Sequence, residues 1–327
     1  MIARQAVWSD PEVAKLLDEF VTVADEVHRL AAGETAECDL FRSFCEEGHY
    51  GGRMSPSRTR QGLYCIAPSG KFLASVNTRR PSDVASMLRE ALERWKDLDP
   101  AERTLSQEQI ELLEQSERPE DRYPEGGLVL IEYVRDLSRD DSPEDWRGDA
   151  WNQDHVWFSK KEARSMLPEP MARGSRVAVP EALVRRLATL HLVDTVRGQA
   201  PPFAEEAVKA AAMAVEVVSI EGDLVQLSLT GSTEVVQRGR WPTKGYGERL
   251  ETSRGVKTDL LGRATWDRAK ESFIAFDLVA TGMRHGATQF NGRYDDLAPN
   301  PIGFAFVLAP PDHPRVAPAF WWRYRMQ

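Results

Sequence analysis

The chain has 327 residues, 42% hydrophobic and 28% charged, the profile of a globular protein with chain enough for two domains. Acidic residues outnumber basic ones 51 to 42, for a net charge of −9 at pH 7, and no basic stripe interrupts the excess. That balance argues against nucleic acid and anionic membrane as partners, and no apolar run approaches the ~18 residues of a membrane-crossing helix.

The elements follow in chain order. Met1–Trp8 has no charged lead before a sustained apolar core, so it is not a secretory signal, and a cytoplasmic location is expected. Asp10 followed by Pro11 reads as a helix N-cap with proline at the first position, and Val13, Leu16, Leu17 and Phe20 recur at helical spacing. Phe20-Val21-Thr22-Val23-Ala24 then reads as a short strand near 20–25. Residues 31–61, broken by Gly33, Gly48, Gly51, Gly52 and Pro56, read as an insertion. Strands are predicted near 62–67 and 71–76 around the turn Pro68-Ser69-Gly70. A helix over 82–96 shows one apolar face of Val84, Met87, Leu88, Ala91, Leu92 and Trp95.

This succession over residues 1–96 resembles the thioredoxin superfamily. It is closest to the branch whose members carry a Cys-x-x-Cys shortly before a Glu-Asp-Pro-Glu-Val-like helix, then a Thr-Pro-Asp-Gly turn. The resemblance implies an α/β thioredoxin-like domain over residues 1–98. Position by position, the second cysteine of the motif would fall just before Met1, and the cis-proline that faces the thiols would fall at Gln61. The resemblance therefore implies a redox-inactive module that binds or scaffolds. A thiol oxidoreductase, exported if a signal was lost with the motif, is implied only if a Cys-x-x-Cys lies upstream of the recorded start.

Residues 99–126 read as a charged helical linker, with Ser106-x-x-Gln109 as a capping box. Residues 127–327 read as a larger α+β domain on an antiparallel sheet. Leu128–Val134 is its first strand, Ser159-x-x-Glu162 caps a short helix that Pro168 ends, and Pro180–Leu190 is a helix with Leu183, Leu187 and Leu190 on one side. Period-two alternation marks strands through Val225–Leu229, Ile274–Leu278 and Phe304–Leu308, the first two ending at Thr230-Gly231 and Thr281-Gly282 as two related hairpins. Arg240–Gly247 reads as a mobile hairpin loop, and Phe320–Arg325 as a final strand docking its rings.

Two segments carry candidate chemistry. Asp154 and His155 lie between Trp151 and Trp157 with Asn152 and Gln153; an Asp-His pair can orient a general base in a pocket, or Asn152 and Asp154 can satisfy backbone groups while the tryptophans are core. Asp194 and Arg197 are three apart, suited to a structural ion pair or, for Arg197, to a carboxylate ligand. A ligand site, if present, is expected along Trp151–Trp157 and Asp194–Arg197. An enzyme using Asp154, His155 and Arg197 is thus the alternative to a scaffold, with a protein or a small molecule as partner.

Weaker signals sit in the first third. Cys45, His49, Tyr50, Arg53, Arg58 and Arg60 share the insertion, where cations and imidazole favour thiolate, but Glu46 and Glu47 oppose it and no second cysteine is spaced to resolve a disulfide. Cys65 reads as a small core residue. His28, His285 and His313 are scattered singly, and the glycines of 240–247 match neither a phosphate loop nor a dinucleotide fingerprint, so no metal or cofactor is expected.

Overall fold

The computed structural model describes residues 7–8, 10–25, 27–51, 60–78, 80–114, 119–140, 142–145, 147–324 and 326. The chain divides into two compact units, Ile2–Arg118 and Pro119–Gln327.

In the first unit, α1 (Pro11–Leu17) starts as its sequence dictates: the Asp10 carboxylate accepts from the backbone N–H of Glu12 at 3.0 Å and of Val13 at 3.1 Å. Two further helices follow, α2 (Val27–Ala32) and α3 (Ala36–Glu47), then the hairpin β1 (Leu63–Ile66) and β2 (Phe72–Val76), then α4 (Pro81–Asp97) and α5 (Gln107–Glu114). The hairpin turns at Gly70, whose φ of +83° is left-handed backbone that glycine adopts without strain. The apolar face of α4 lands as expected, with Val84, Met87, Leu88 and Ala91 buried against Cys65, Leu73 and Ala74 of the hairpin. Ser106 and Gln109 cap α5 reciprocally.

Two expectations fail here. No strand forms at 20–25; Val21 and Val23 are 94% and 85% exposed, because β-propensity without a neighbouring edge to pair with does not make a strand. And the described part of the 31–61 insertion is largely helical, α3 burying Cys38, Phe41, Phe44 and Cys45 in a cluster of its own with Tyr64 and Phe72 packed on it.

The second unit is one eight-stranded antiparallel sheet. Its strands are β3 (Leu128–Asp136), β4 (Trp151–Phe158), β5 (Arg176–Ala178), β6 (Val208–Glu221), β7 (Leu224–Trp241), β8 (Leu250–Asp267), β9 (Ser272–His285) and β10 (Asn300–Leu308). The order across the sheet is β4-β3-β10-β9-β8-β7-β6-β5. Alternation sends Leu128, Leu130 and Val134, Val225, Leu227 and Leu229, Phe276 and Leu278, and Phe304 and Phe306 into one core. Against that face pack α6 (Lys160–Ser165), opened by the Ser159/Glu162 capping box, and α7 (Glu181–Arg186). The predicted Pro180–Leu190 helix is α-helical only to Arg186; Leu187–His191 forms a π-turn with every side chain buried.

Thr230-Gly231 and Thr281-Gly282 lie in mid-strand, not at strand ends. There the neighbouring backbone comes so close that a Cβ on Gly231 would meet the Ala212 carbonyl at 2.3 Å. The β7–β8 loop is anchored, since Gly245 N–H donates to the Gln289 carbonyl at 2.9 Å and the Trp241 indole N–H to that of Ala287 at 2.7 Å. Phe320–Arg323 is a turn and a single 3-10 coil rather than a strand.

One end of the sheet is closed by buried charge. Arg293 clamps Asp194 through Nε and Nη2 at 2.8 and 2.9 Å and Asp136 through Nη1 and Nη2 at 2.7 and 2.6 Å. Arg197 joins Asp136 to Asp296, each at 2.8 Å, and Arg139 and Arg284 also reach Asp296. The side chains of Arg197, Arg284 and Arg293 are fully buried. Asp194 and Arg197 therefore do not pair with each other: beyond the π-turn the backbone has left the helix that three-residue spacing presumes. Burial by itself would raise the Asp136 and Asp296 carboxyls, but the surrounding guanidiniums outweigh it and hold both below their ordinary value.

Two outcomes are expected from this packing. Leu88→Ala should destabilise the first unit by about 2–5 kcal/mol in chemical denaturation. In the second unit, depressed carboxyl pKa values contribute stability that is complete above the unfolded-state value near ~4 and is lost as pH falls through the native values. Asp296→Asn should therefore cost about 3–5 kcal/mol at neutral pH and flatten the acid limb of the stability–pH curve; an unchanged acid limb would contradict the cluster's role.

Candidate functional site

The alternation that builds the core also places a carboxyl inside it. On β3, Leu128, Leu130, Glu132 and Val134 share the inner face, so Glu132 is only 2% exposed. Register sets Asp154 of β4 directly opposite Glu132. The π-turn delivers His191 over the pair, with its Nδ1 2.8 Å from Glu132 Oε2 and 3.6 Å from Asp154 Oδ2. On the far side of the ring, Nε2 bonds the hydroxyl of Tyr324, which also accepts the backbone N–H of Trp157 at 3.4 Å. Asp154 Oδ1 is held by the N–H groups of His155 and Ala319, both at 2.8 Å, which keeps Oδ2 on the imidazole side.

Burial governs the charge states. Burial, then the neighbouring Asp154 charge, pushes the Glu132 carboxyl well above its ordinary value. Burial, then the charges of Arg186 and His155, draws His191 down to about 3. Burial likewise lifts the Tyr324 hydroxyl. Burial thus favours the neutral forms of both Glu132 and His191, and the imidazole joins the Glu132 carboxyl through Nδ1 and the Tyr324 hydroxyl through Nε2. Next to this chain, Arg186 donates to both oxygens of Glu162 at 2.9 Å and to the Trp157 carbonyl at 3.1 Å, with its guanidinium 4.8 Å from the centre of the Tyr324 ring.

Glu132, Asp154 and His191 each offer one donor atom, and the three atoms lie within 4.8 Å of one another. A first-row cation bonded at ~2.0–2.2 Å holds its donors about 3–4 Å apart, close to the 2.8 and 3.6 Å that separate the His191 nitrogen from the two carboxylate oxygens. The three residues are far apart in the chain, which is why no metal spacing shows in the sequence. The readable signal was a charged residue at the core-facing parity of the otherwise apolar run Leu128–Val134.

The remaining candidates lie elsewhere. His155, on the opposite parity of β4, turns away from His191 and meets His313 Nε2-to-Nε2 at 2.8 Å. The two expected segments touch where Asn152 Nδ2 donates to the Thr195 carbonyl at 3.2 Å. Arg197 belongs to the ionic cluster through Asp136, four residues along β3 from Glu132, or ~13 Å at strand rise. Asp154 is thus the one predicted residue within the buried constellation, with Glu132, His191 and Tyr324 unforeseen.

In the first unit, His49 stacks on Tyr64 and its Nδ1 meets Ser75 Oγ at 2.8 Å, while Tyr50 donates to the Gln61 carbonyl at 2.8 Å. Cys45 is fully buried; burial pushes its thiol up, and the opposing effects of Tyr64 and Arg60 do not reverse this. Cys65 is pushed up to about 11 by burial. Arg53 and Arg58 lie outside the described residues.

No protein-family profile, curated protein or solved structure matches the chain.

All three cysteines are buried and unpaired, whereas dithiol turnover needs an attacking and a resolving thiol within reach of each other. The recombinant chain is expected to leave insulin disulfides intact above the dithiothreitol background; reduction that vanishes in Cys45→Ser would overturn this.

Proposed function

We propose that the protein binds a divalent metal ion in its second unit, through His191, Glu132 and Asp154. The observation that carries the proposal is the convergence of three donor atoms, from two paired strands and a π-turn, within 4.8 Å inside the core. A buried carboxyl and imidazole beside a partly exposed second carboxyl are costly to hold in apolar surroundings, and a cation gives that arrangement a purpose. An imidazole with two carboxylates and no thiolate suits zinc, manganese or ferrous iron rather than cuprous copper. Tyr324, on the far nitrogen of His191, would fix the ring as the outer hydrogen bond of a ligating histidine commonly does. Three protein ligands leave a coordination position over, the condition for Lewis-acid chemistry.

For the first unit, the proposal is a thioredoxin-like module without active thiols that serves as a binding or scaffold element. What supports it is the hairpin followed by the long covering helix α4, together with cysteines that are buried and raised rather than exposed and lowered.

Protein stripped with a chelator and titrated with zinc or manganese in a calorimeter should bind about one equivalent. Binding should also raise the unfolding free energy by about 4 kcal/mol at a thousandfold excess over Kd. His191→Ala and Glu132→Gln should each abolish both effects. Failure of either metal to bind, or binding that survives His191→Ala, would refute the assignment.

A further inference from the structure

A cleft of about 560 Å³ opens in the second unit between α6, α7 and the coil at Trp321–Arg323. That volume is in the range of small-molecule sites. Its wall includes four cations, Lys161, Arg185, Arg186 and Arg323, against two carboxylates, Glu162 and Glu205. Glu162 is engaged on both oxygens by Arg186, and Glu205 lies 3.6 Å from Arg185. Lys161 and Arg323 make no ion pair among the described residues. The cleft therefore carries two uncompensated positive charges on a chain whose net charge is −9. Buried Arg186 also keeps an Nε with no hydrogen-bond partner. Beside the cations, Trp322 is 48% exposed, and Leu183 and Leu190 line the same cleft. A flat ring, an apolar wall and two cations without an ion-pair partner among the described residues line the same cleft and together suit an anion that carries a ring.

We infer that this cleft binds a small aromatic carboxylate, its acid group between Lys161 and Arg323 and its ring against Trp322. The inference stands apart from the metal reading, because none of the proposed metal ligands lines the cleft. It also differs from the sequence expectation, since the wall draws on the C-terminal aromatics and on no residue of Trp151–Trp157 or Asp194–Arg197.

The test uses the full chain with a chelator present, so that metal binding has no bearing on the outcome. 8-Anilino-1-naphthalenesulfonate, followed by its fluorescence, should bind saturably at one site. 1-Naphthoate should displace it, and the uncharged isostere 1-naphthalenemethanol should need about tenfold more. The double variant Lys161→Glu/Arg323→Glu and, separately, Trp322→Ala should each weaken the dye by about tenfold or more. These side chains are on the surface, so the fold is retained, and the double variant Arg263→Glu/Arg268→Glu, the same charge change at other exposed positions, should have no effect. Equal displacement by acid and alcohol, or wild-type affinity in the double variant, would overturn the inference.

Discussion

A carboxyl on the inner face of a β-sheet must be answered by its neighbours, and the second unit is arranged around that requirement at Glu132. An unpartnered acid there would carry a desolvation cost that no flanking leucine could offset. The reply comes from three directions: Asp154 directly across the ladder, His191 from above and Tyr324 behind the imidazole. Each partner constrains an element. Asp154 ties β4 to the C-terminal segment through Ala319, His191 requires the chain after Arg186 to widen into a π-turn, and Tyr324 bridges that turn to the Trp157 backbone. Burial biases Glu132 and His191 toward their neutral forms; a cation bound among them would compete with protons for the same donor atoms.

The ionic cluster at the end of the sheet answers a similar requirement differently. Four guanidiniums surround three carboxylates there, several of the contacts bidentate, and this excess of cations outweighs burial and holds the Asp136 and Asp296 carboxyls below their ordinary value. Glu132 has no such cation among its bonded partners, and burial raises its carboxyl instead. The two networks sit four residues apart on one strand and show how local partners, rather than burial alone, decide whether an interior carboxyl ionises.

Legibility in the sequence followed the range of the interaction. The α4 stripe, the capping boxes at Ser106 and Ser159 and the alternation through β7, β9 and β10 are set by neighbours a few residues away, and each could be read directly. The spacing of Cys38, Phe41, Phe44 and Cys45 was equally local; glycines clustered just after it concealed a helix. Partnerships over distance were not legible. Asp194 finds its cation at Arg293 rather than at Arg197, three residues on, and His191 reaches Glu132 only because two strands and a π-turn superpose them. Residues 20–25 had the composition of a strand without an edge to join, and composition cannot report a missing neighbour.

The C-terminal segment does more than complete the buried constellation. β4 is the outermost strand on its side of the sheet, and its Trp157 N–H faces outward to the Tyr324 hydroxyl. A border strand whose outward N–H groups lose their partners is a template on which another chain can lay a strand of its own. Lifting residues 313–324 from β4 would remove the Tyr324 hydroxyl from His191 and bare that border in the same motion. Damage to this one segment would therefore announce itself in two ways at once, as a border strand open to self-association and as an imidazole without its Tyr324 partner.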